Sequence, residues 1–106
     1  GLEIMGTFLG MKNPPKAFLS PGVSVTLGML AALKQAGLAA GRDVFLIAFE
    51  GTRYLEFSDP PVRAFNASLD PAGNQLCGLL LRRIQGEKPE DLQLLEQAEY
   101  HDRGSC

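Results

Sequence analysis

The sequence predicts an α/β fold: a βαβ unit followed by a helix and a returning C-terminal strand. Three observations carry that prediction. Val44–Phe49 is an apolar run without alternation, the pattern of a central parallel strand buried on both faces. A shorter apolar run, Ala17–Ser20, precedes it, and a helix-length apolar segment lies between the two. Strand, crossover helix and parallel strand make a βαβ unit, right-handed in nearly all cases. Beyond them Asp70-Pro71 opens a second long helical pattern, and the last apolar residues return as an edge strand.

Taken in order, Leu2, Met5 and Leu9 recur at helical spacing with Ile4 and Phe8 beside them. No capping residue precedes them, so this segment reads as the later part of a helix that begins upstream. Pro14-Pro15 ends it, because proline removes a donor and pushes its predecessor out of the α region. Ala17-Phe18-Leu19-Ser20 reads as a strand broken by Pro21-Gly22. Ser24 then caps a helix over Val25–Ala36, with Gly37 at its left-handed stop. Apolar residues occupy nearly every side of that helix (Val25, Leu27, Met29, Leu30, Ala32, Leu33, Ala36), so it needs cover on both sides. After Val44–Phe49, Gly51–Asp59 reads as a loop closed by Pro60-Pro61, and Val62–Asn66 as a short extended segment. Asp70 caps the next helix with Pro71 at its first position. Ala72, Leu76, Leu80 and Ile84 form its apolar stripe, and Gly86 stops it. From Leu92 to His101 apolar and polar residues alternate, as in a half-exposed edge strand.

Composition narrows the function classes. Of 106 residues 45% are hydrophobic and 21% charged, with a net charge of -2, values ordinary for a globular domain. A nucleic-acid-binding module carries a clustered basic face, and Arg82-Arg83 is a solvated helix end. No apolar run reaches the ~18 residues of a membrane-spanning helix, and no signal peptide opens the chain. The two cysteines, Cys77 and Cys106, form no CxxC or Cys/His pattern, so neither a metal site nor a cofactor is expected, and a reducing, cytoplasmic compartment fits best. Ser20, Ser24 and Ser105 lie outside any Gly-x-Ser-x-Gly elbow, and His101 is read as an exposed residue near the terminus. The chain is not expected to be an enzyme.

Five phrases occur in a fixed order. They are Pro14-Pro15-Lys16-Ala17 with Leu27-Gly28; Ala36-Gly37-Leu38 with Asp43-Val44 and Phe49-Glu50; Pro60-Pro61; Gly73 with Leu80-Leu81-Arg82-Arg83-Ile84-Gln85-Gly86; and Arg103-Gly104-Ser105. In this order and spacing the chain resembles the C-terminal part of the effector-sensing domain of the lactose/galactose repressor family. The resemblance implies a partial type 1 periplasmic-binding-protein-like fold, three-layer αβα, with a ligand cleft between two subdomains. It assigns residues 1–49 and about 92–103 to the C-terminal subdomain and about 61–86 to the N-terminal one, with the DNA-binding headpiece absent. It implies a sensing and dimerising module of a bacterial transcriptional regulator, answering to a sugar or sugar-like effector. The partners would be that effector and a second copy in a homodimer, with DNA reached only through a helix-turn-helix outside these residues and no membrane contact. The alternative is a periplasmic solute-binding protein of a transporter.

Glu50 takes the place of the family's sugar-reading aspartate at the end of the buried strand. Ligands in open α/β sheets bind beyond the carboxyl ends of the strands, and a carboxylate accepts several hydroxyl hydrogen bonds. Gly22-Val23 stands where the family often has Asn-Asp, which makes Gly22 a backbone lining for the cleft. Leu69 stands where the family has an apolar or aromatic cleft residue, and Asp43 matches an acidic turn position. The apolar helix at Val25, with Tyr54, Leu55 and Phe57, is the expected dimer face.

Overall fold

A computed structural model describes residues 1–50, 53–66 and 69–103 of the chain. Its elements run α1 (Leu2–Leu9), β1 (Ala17–Ser20), α2 (Val23–Gln35), β2 (Phe45–Ala48), α3 (Arg53–Glu56), β3 (Arg63–Asn66), α4 (Leu69–Ile84) and β4 (Glu99–His101). The four strands form one sheet in the order β1-β2-β3-β4. β1, β2 and β3 are parallel and β4 returns antiparallel. Two compact units result, Gly1–Asn66 with Glu99–Cys106, and Ala67–Ala98.

The first unit holds the sheet. Register places Ser20 beside Ala48 and Ala48 beside Ala64, and all three are fully buried. Leu46, Val62 and Leu55 join them, with Met5 from α1 and Met29, Ala32 and Leu33 from α2. Burial in β2 alternates instead of covering both faces: Leu46 and Ala48 are buried, while Phe45 is 53% exposed. Leu19 on β1 is 67% exposed. Val44–Phe49 is therefore central in order but packed mainly on one side among the described residues. Continuous apolarity reports that both faces tolerate burial, and the residues present supply cover for one.

α2 begins two residues earlier than the sequence predicts. Gly22, not Ser24, is its N-cap, and no side-chain cap bond is made there. The cause is a buried hydroxyl pair. Thr26 Oγ1 lies 2.7 Å from Ser20 Oγ and 2.8 Å from Gly22 O, and the Thr26 N–H donates to the same carbonyl at 2.9 Å. These bonds bend the chain out of β1 and directly into the helix. The buried stripe of α2 is Thr26, Met29, Ala32 and Leu33, so a threonine sits where the apolar reading placed none. The helix ends as predicted at Gly37, whose φ is 71°. Leu38 N–H reaches Leu33 O at 2.9 Å and Gly37 N–H reaches Lys34 O at 3.1 Å, a Schellman closure that favours glycine. Asp43 ties the following turn: Ala39 N–H donates to Oδ2 at 2.8 Å, and Arg42 Nη2 donates to it at 2.7 Å.

Two further boundaries differ. The segment read as a loop contains α3, and the extended segment expected at Val62–Asn66 is β3, paired with β2. Backbone hydrogen bonding along Ala48↔Ala64 keeps the chain in the sheet to Asn66. β4 spans only Glu99–His101, not the whole stretch from Leu92, because strand pairing with Ala64, Phe65 and Asn66 is limited to those three residues.

In the second unit, α4 starts one residue before Asp70, so Asp70 is an acid in the first turn and not the cap. Pro71 remains in that turn, where its missing donor costs nothing. Gly86 (φ 98°) closes the helix, helped by hydrogen bonds from Arg82 to Glu87 and from Arg83 Nη1 to Glu87 O at 2.9 Å. None of the α4 side chains is buried, and Leu76, Leu80 and Ile84 lie open along its apolar stripe.

Candidate functional site

The parallel pair β1 and β2 ends level, at Ser20 and Ala48. The next bond of the ladder, Phe49 N–H to Ser20 O at 2.7 Å, carries the alignment one residue further. Two residues past each strand stand Gly22 and Glu50. Their positions follow from register alone: matched strand ends deliver matched loop residues to one edge of the sheet.

At that edge Gly22, Val23, Ser24, Val25, Glu50 and Tyr54 line a cavity of about 300 Å³. Gly22 is extended (φ -178°) and offers backbone only. A Cβ built on it would lie 3.1 Å from Glu50 Oε2. The carboxylate therefore leans over the glycine, at the first turn of α2. Helix N-termini carry unsatisfied N–H groups and a partial positive charge, so this placement suits a negative group. Ser24 adds a hydroxyl and Tyr54, on α3, an exposed ring.

Two of the three residues singled out from the sequence thus meet in one cavity. The third, Leu69, begins α4 in the second unit, is 82% exposed and is not among the residues lining this cavity. The sequence marks Ser24 as a cap and Tyr54 as part of a dimer face, and neither as a ligand contact; only the early start of α2 and the turn of α3 bring them beside Glu50. Within that expected dimer face Leu55 is fully buried, whereas Tyr54 and Phe57 are exposed. Leu55 packs inward because α3 turns that side of the segment onto the core, where its carbonyl accepts Val62 N–H at 2.9 Å.

A second, polar cavity of about 520 Å³ lies over α3 and β4, lined by Arg53, Glu56, Asn66, Tyr100, His101, Asp102 and Arg103. Several of these groups are committed to holding the sheet edge. Arg63 Nε stands 2.5 Å from Asp102 Oδ1, Arg103 Nη1 donates to Val62 O at 3.4 Å, and the Phe65 and Tyr100 rings pack at a 45° tilt with centroids 5.1 Å apart. Ser20 is buried against Thr26, away from His101 in the ladder. Among the described residues no cluster of three or more His, Cys, Asp or Glu could hold a metal ion, and no helix is long and apolar enough to cross a membrane. Ser105 and Cys106, with Gly104, lie outside the described residues.

The fold is shared with known proteins. The profile of the periplasmic binding protein-like domain matches residues 3–106. The HTH-type transcriptional regulator AglR of Rhizobium meliloti (strain 1021) is 36% identical over 110 residues, covering 99% of this chain and 30% of AglR. The HTH-type transcriptional repressor CytR of Escherichia coli (strain K12) is 29% identical over 105 residues, covering 99% of this chain and 31% of CytR. The crystal structure of the Lac repressor bound to ONPG in its repressed state superposes with a TM-score of 0.86 at 21% identity, over 99% of this chain and 32% of that one. The chain thus spans under a third of the length of these relatives. With the parallel sheet, the matched strand ends and a profile match across nearly its whole length, the chain belongs to the periplasmic binding protein-like domain family, as the resemblance to the lactose/galactose repressors implies.

Proposed function

We propose that this chain is the small-molecule-sensing portion of a transcription regulator, with Glu50 and Gly22 forming one wall of the effector site. The observation that carries the reading is the cavity at the level ends of β1 and β2, with a carboxylate held over a glycine at the start of α2. Such an arrangement binds and orients a polar ligand without chemistry: the carboxylate accepts hydroxyl hydrogen bonds, and the bare backbone at Gly22 leaves room for the ligand to approach. Regulators named among the relatives favour this over a transporter's solute-binding protein.

In this reading Leu69 is an apolar effector contact, the exposed Leu27, Tyr54 and Phe57 contribute to a homodimer face, and the regulator works in the cytoplasm. Signalling is a population shift: an effector that binds one arrangement of the subdomains better than another biases the equilibrium by its difference in affinity. DNA contact belongs to a helix-turn-helix elsewhere in the regulator.

The test is a thermal-shift and NMR screen of the chain against neutral sugars, nucleosides and sugar acids. Glu50→Ala is expected to weaken a ligand that shifts the Gly22 and Glu50 amides by about tenfold or more, the loss of a charge-assisted hydrogen bond. A bound ligand whose affinity is the same for wild type and Glu50→Ala overturns the assignment.

A further inference from the structure

We infer that this site discriminates by charge: it takes hydroxylated ligands that carry an amino group and turns away those that carry a carboxylate or phosphate. The inference rests on the sensing role proposed above and names the ligand class.

The argument starts at the head of α2. A thirteen-residue helix with a glycine N-cap and no side-chain cap bond leaves its first N–H groups and its partial positive charge facing the cavity. An end of this kind is ordinarily the place where an acidic ligand is welcomed. Here that place is taken by the chain itself. Glu50 Oε2 stands 3.1 Å from where a Gly22 Cβ would be, over the helix cap. An incoming anion meets a resident carboxylate at the spot that would have attracted it.

The remaining lining strengthens the bias. Val23 and Val25 are apolar, Ser24 and Tyr54 are neutral hydroxyls, and among the described residues no lysine, arginine or histidine lines this cavity. The polar cavity over α3 and β4 shows the contrast, with Arg53, His101 and Arg103 in its wall. A carboxylate set against roughly half a positive charge from the helix end leaves this wall of the site net negative. An ammonium group satisfies it with a charge-assisted hydrogen bond, a hydroxyl with an ordinary one, and an acid with neither.

Gly22 is what makes the arrangement possible. A Cβ there would meet Glu50 Oε2 at 3.1 Å, so the carboxylate would have to give by a few tenths of an ångström. Gly22→Ala therefore alters charge selection without altering charge.

The experiment uses three probes on one ring: glucosamine, glucose and glucuronate, titrated into the chain and read by the Gly22 and Glu50 amide shifts. Glucosamine is expected to bind about tenfold tighter than glucose, the difference between a charge-assisted and an ordinary hydrogen bond, with glucuronate weaker still. In Glu50→Gln the three affinities should draw together while glucose binding persists, and Gly22→Ala should narrow the same spread. Glucuronate binding as tightly as glucosamine, or a preference that survives Glu50→Gln, overturns the inference and leaves the sensing role standing. If none of the three moves either amide, the sensing role assigned to this cavity falls with it.

Discussion

Replacing Thr26 by valine tests whether buried hydroxyls hold the turn that presents Gly22. Thr26 has no exposed surface, and its hydroxyl meets Ser20 Oγ at 2.7 Å and Gly22 O at 2.8 Å. Valine keeps the branched shape and removes both contacts. Each intramolecular hydrogen bond is worth about 0.5–1.5 kcal/mol net. Neither partner is stranded by the change. Ser20 Oγ still has Gly22 O at 3.2 Å, and Gly22 O keeps the residue-26 N–H at 2.9 Å. The added penalty of a buried orphan does not arise, and the extra methyl of valine recovers a little apolar burial. The expected cost is about 1–2 kcal/mol. In a domain of this size that lowers the melting midpoint by roughly 5–15 °C.

The assay is urea unfolding, with the midpoint falling and the slope unchanged, so that the loss is one of native stability. Ser20→Ala and the double variant complete a cycle, in which the two hydroxyls should couple by about 1 kcal/mol. A cost below about 0.3 kcal/mol, or additive single changes, refutes the network; a cost above about 3 kcal/mol means that an acceptor has been orphaned after all.

Leu46→Ala, at the fully buried centre of the sheet, should cost about 2–5 kcal/mol by denaturant unfolding. Gly37→Ala forces a side chain into a backbone with φ 71° and should cost about 1 kcal/mol, read as a lower midpoint with the fold unchanged by circular dichroism. The Arg42 hydrogen bond, with the Ala39 N–H, holds the Asp43 carboxyl below the usual carboxylate range. Its stabilising contribution is therefore present above the unfolded carboxyl's pKa and is lost as pH falls through the lower folded value. Asp43→Asn should flatten that acid limb of the stability profile, and an unchanged limb would count against it.

Much of the fold was legible because its signals are local. Gly37 and Gly86 announced the helix ends, and the apolar runs at Phe18 and Leu46 announced parallel strands, because glycine's left-handed freedom and strand burial are written in single residues. The start of α2 was not legible from Ser24, since the deciding contact joins Ser20 to Thr26 across a turn and depends on both being buried. The reach of β4 was also hidden: Leu92, Leu94, Ala98 and Tyr100 alternate like a strand, yet the ladder on β3 supports only three residues. At the site, Glu50 and Gly22 were each marked by position at a strand end, but their mutual approach required the register of β1 on β2. Ser24 and Tyr54 carried signals for other roles, a cap and a sticky loop, which outweighed any hint of a ligand.

The close approach of Glu50 to Gly22 also limits how this protein can change. A longer acid at one position and a bare backbone at the other share a single allotment of space. Bulk gained at position 22 is met by a small shift of the carboxylate at position 50, so Gly22→Asn and Glu50→Asp each change what the other can reach. In the sensing role proposed above, retargeting to a new small molecule is therefore a walk in which the two positions are tuned together.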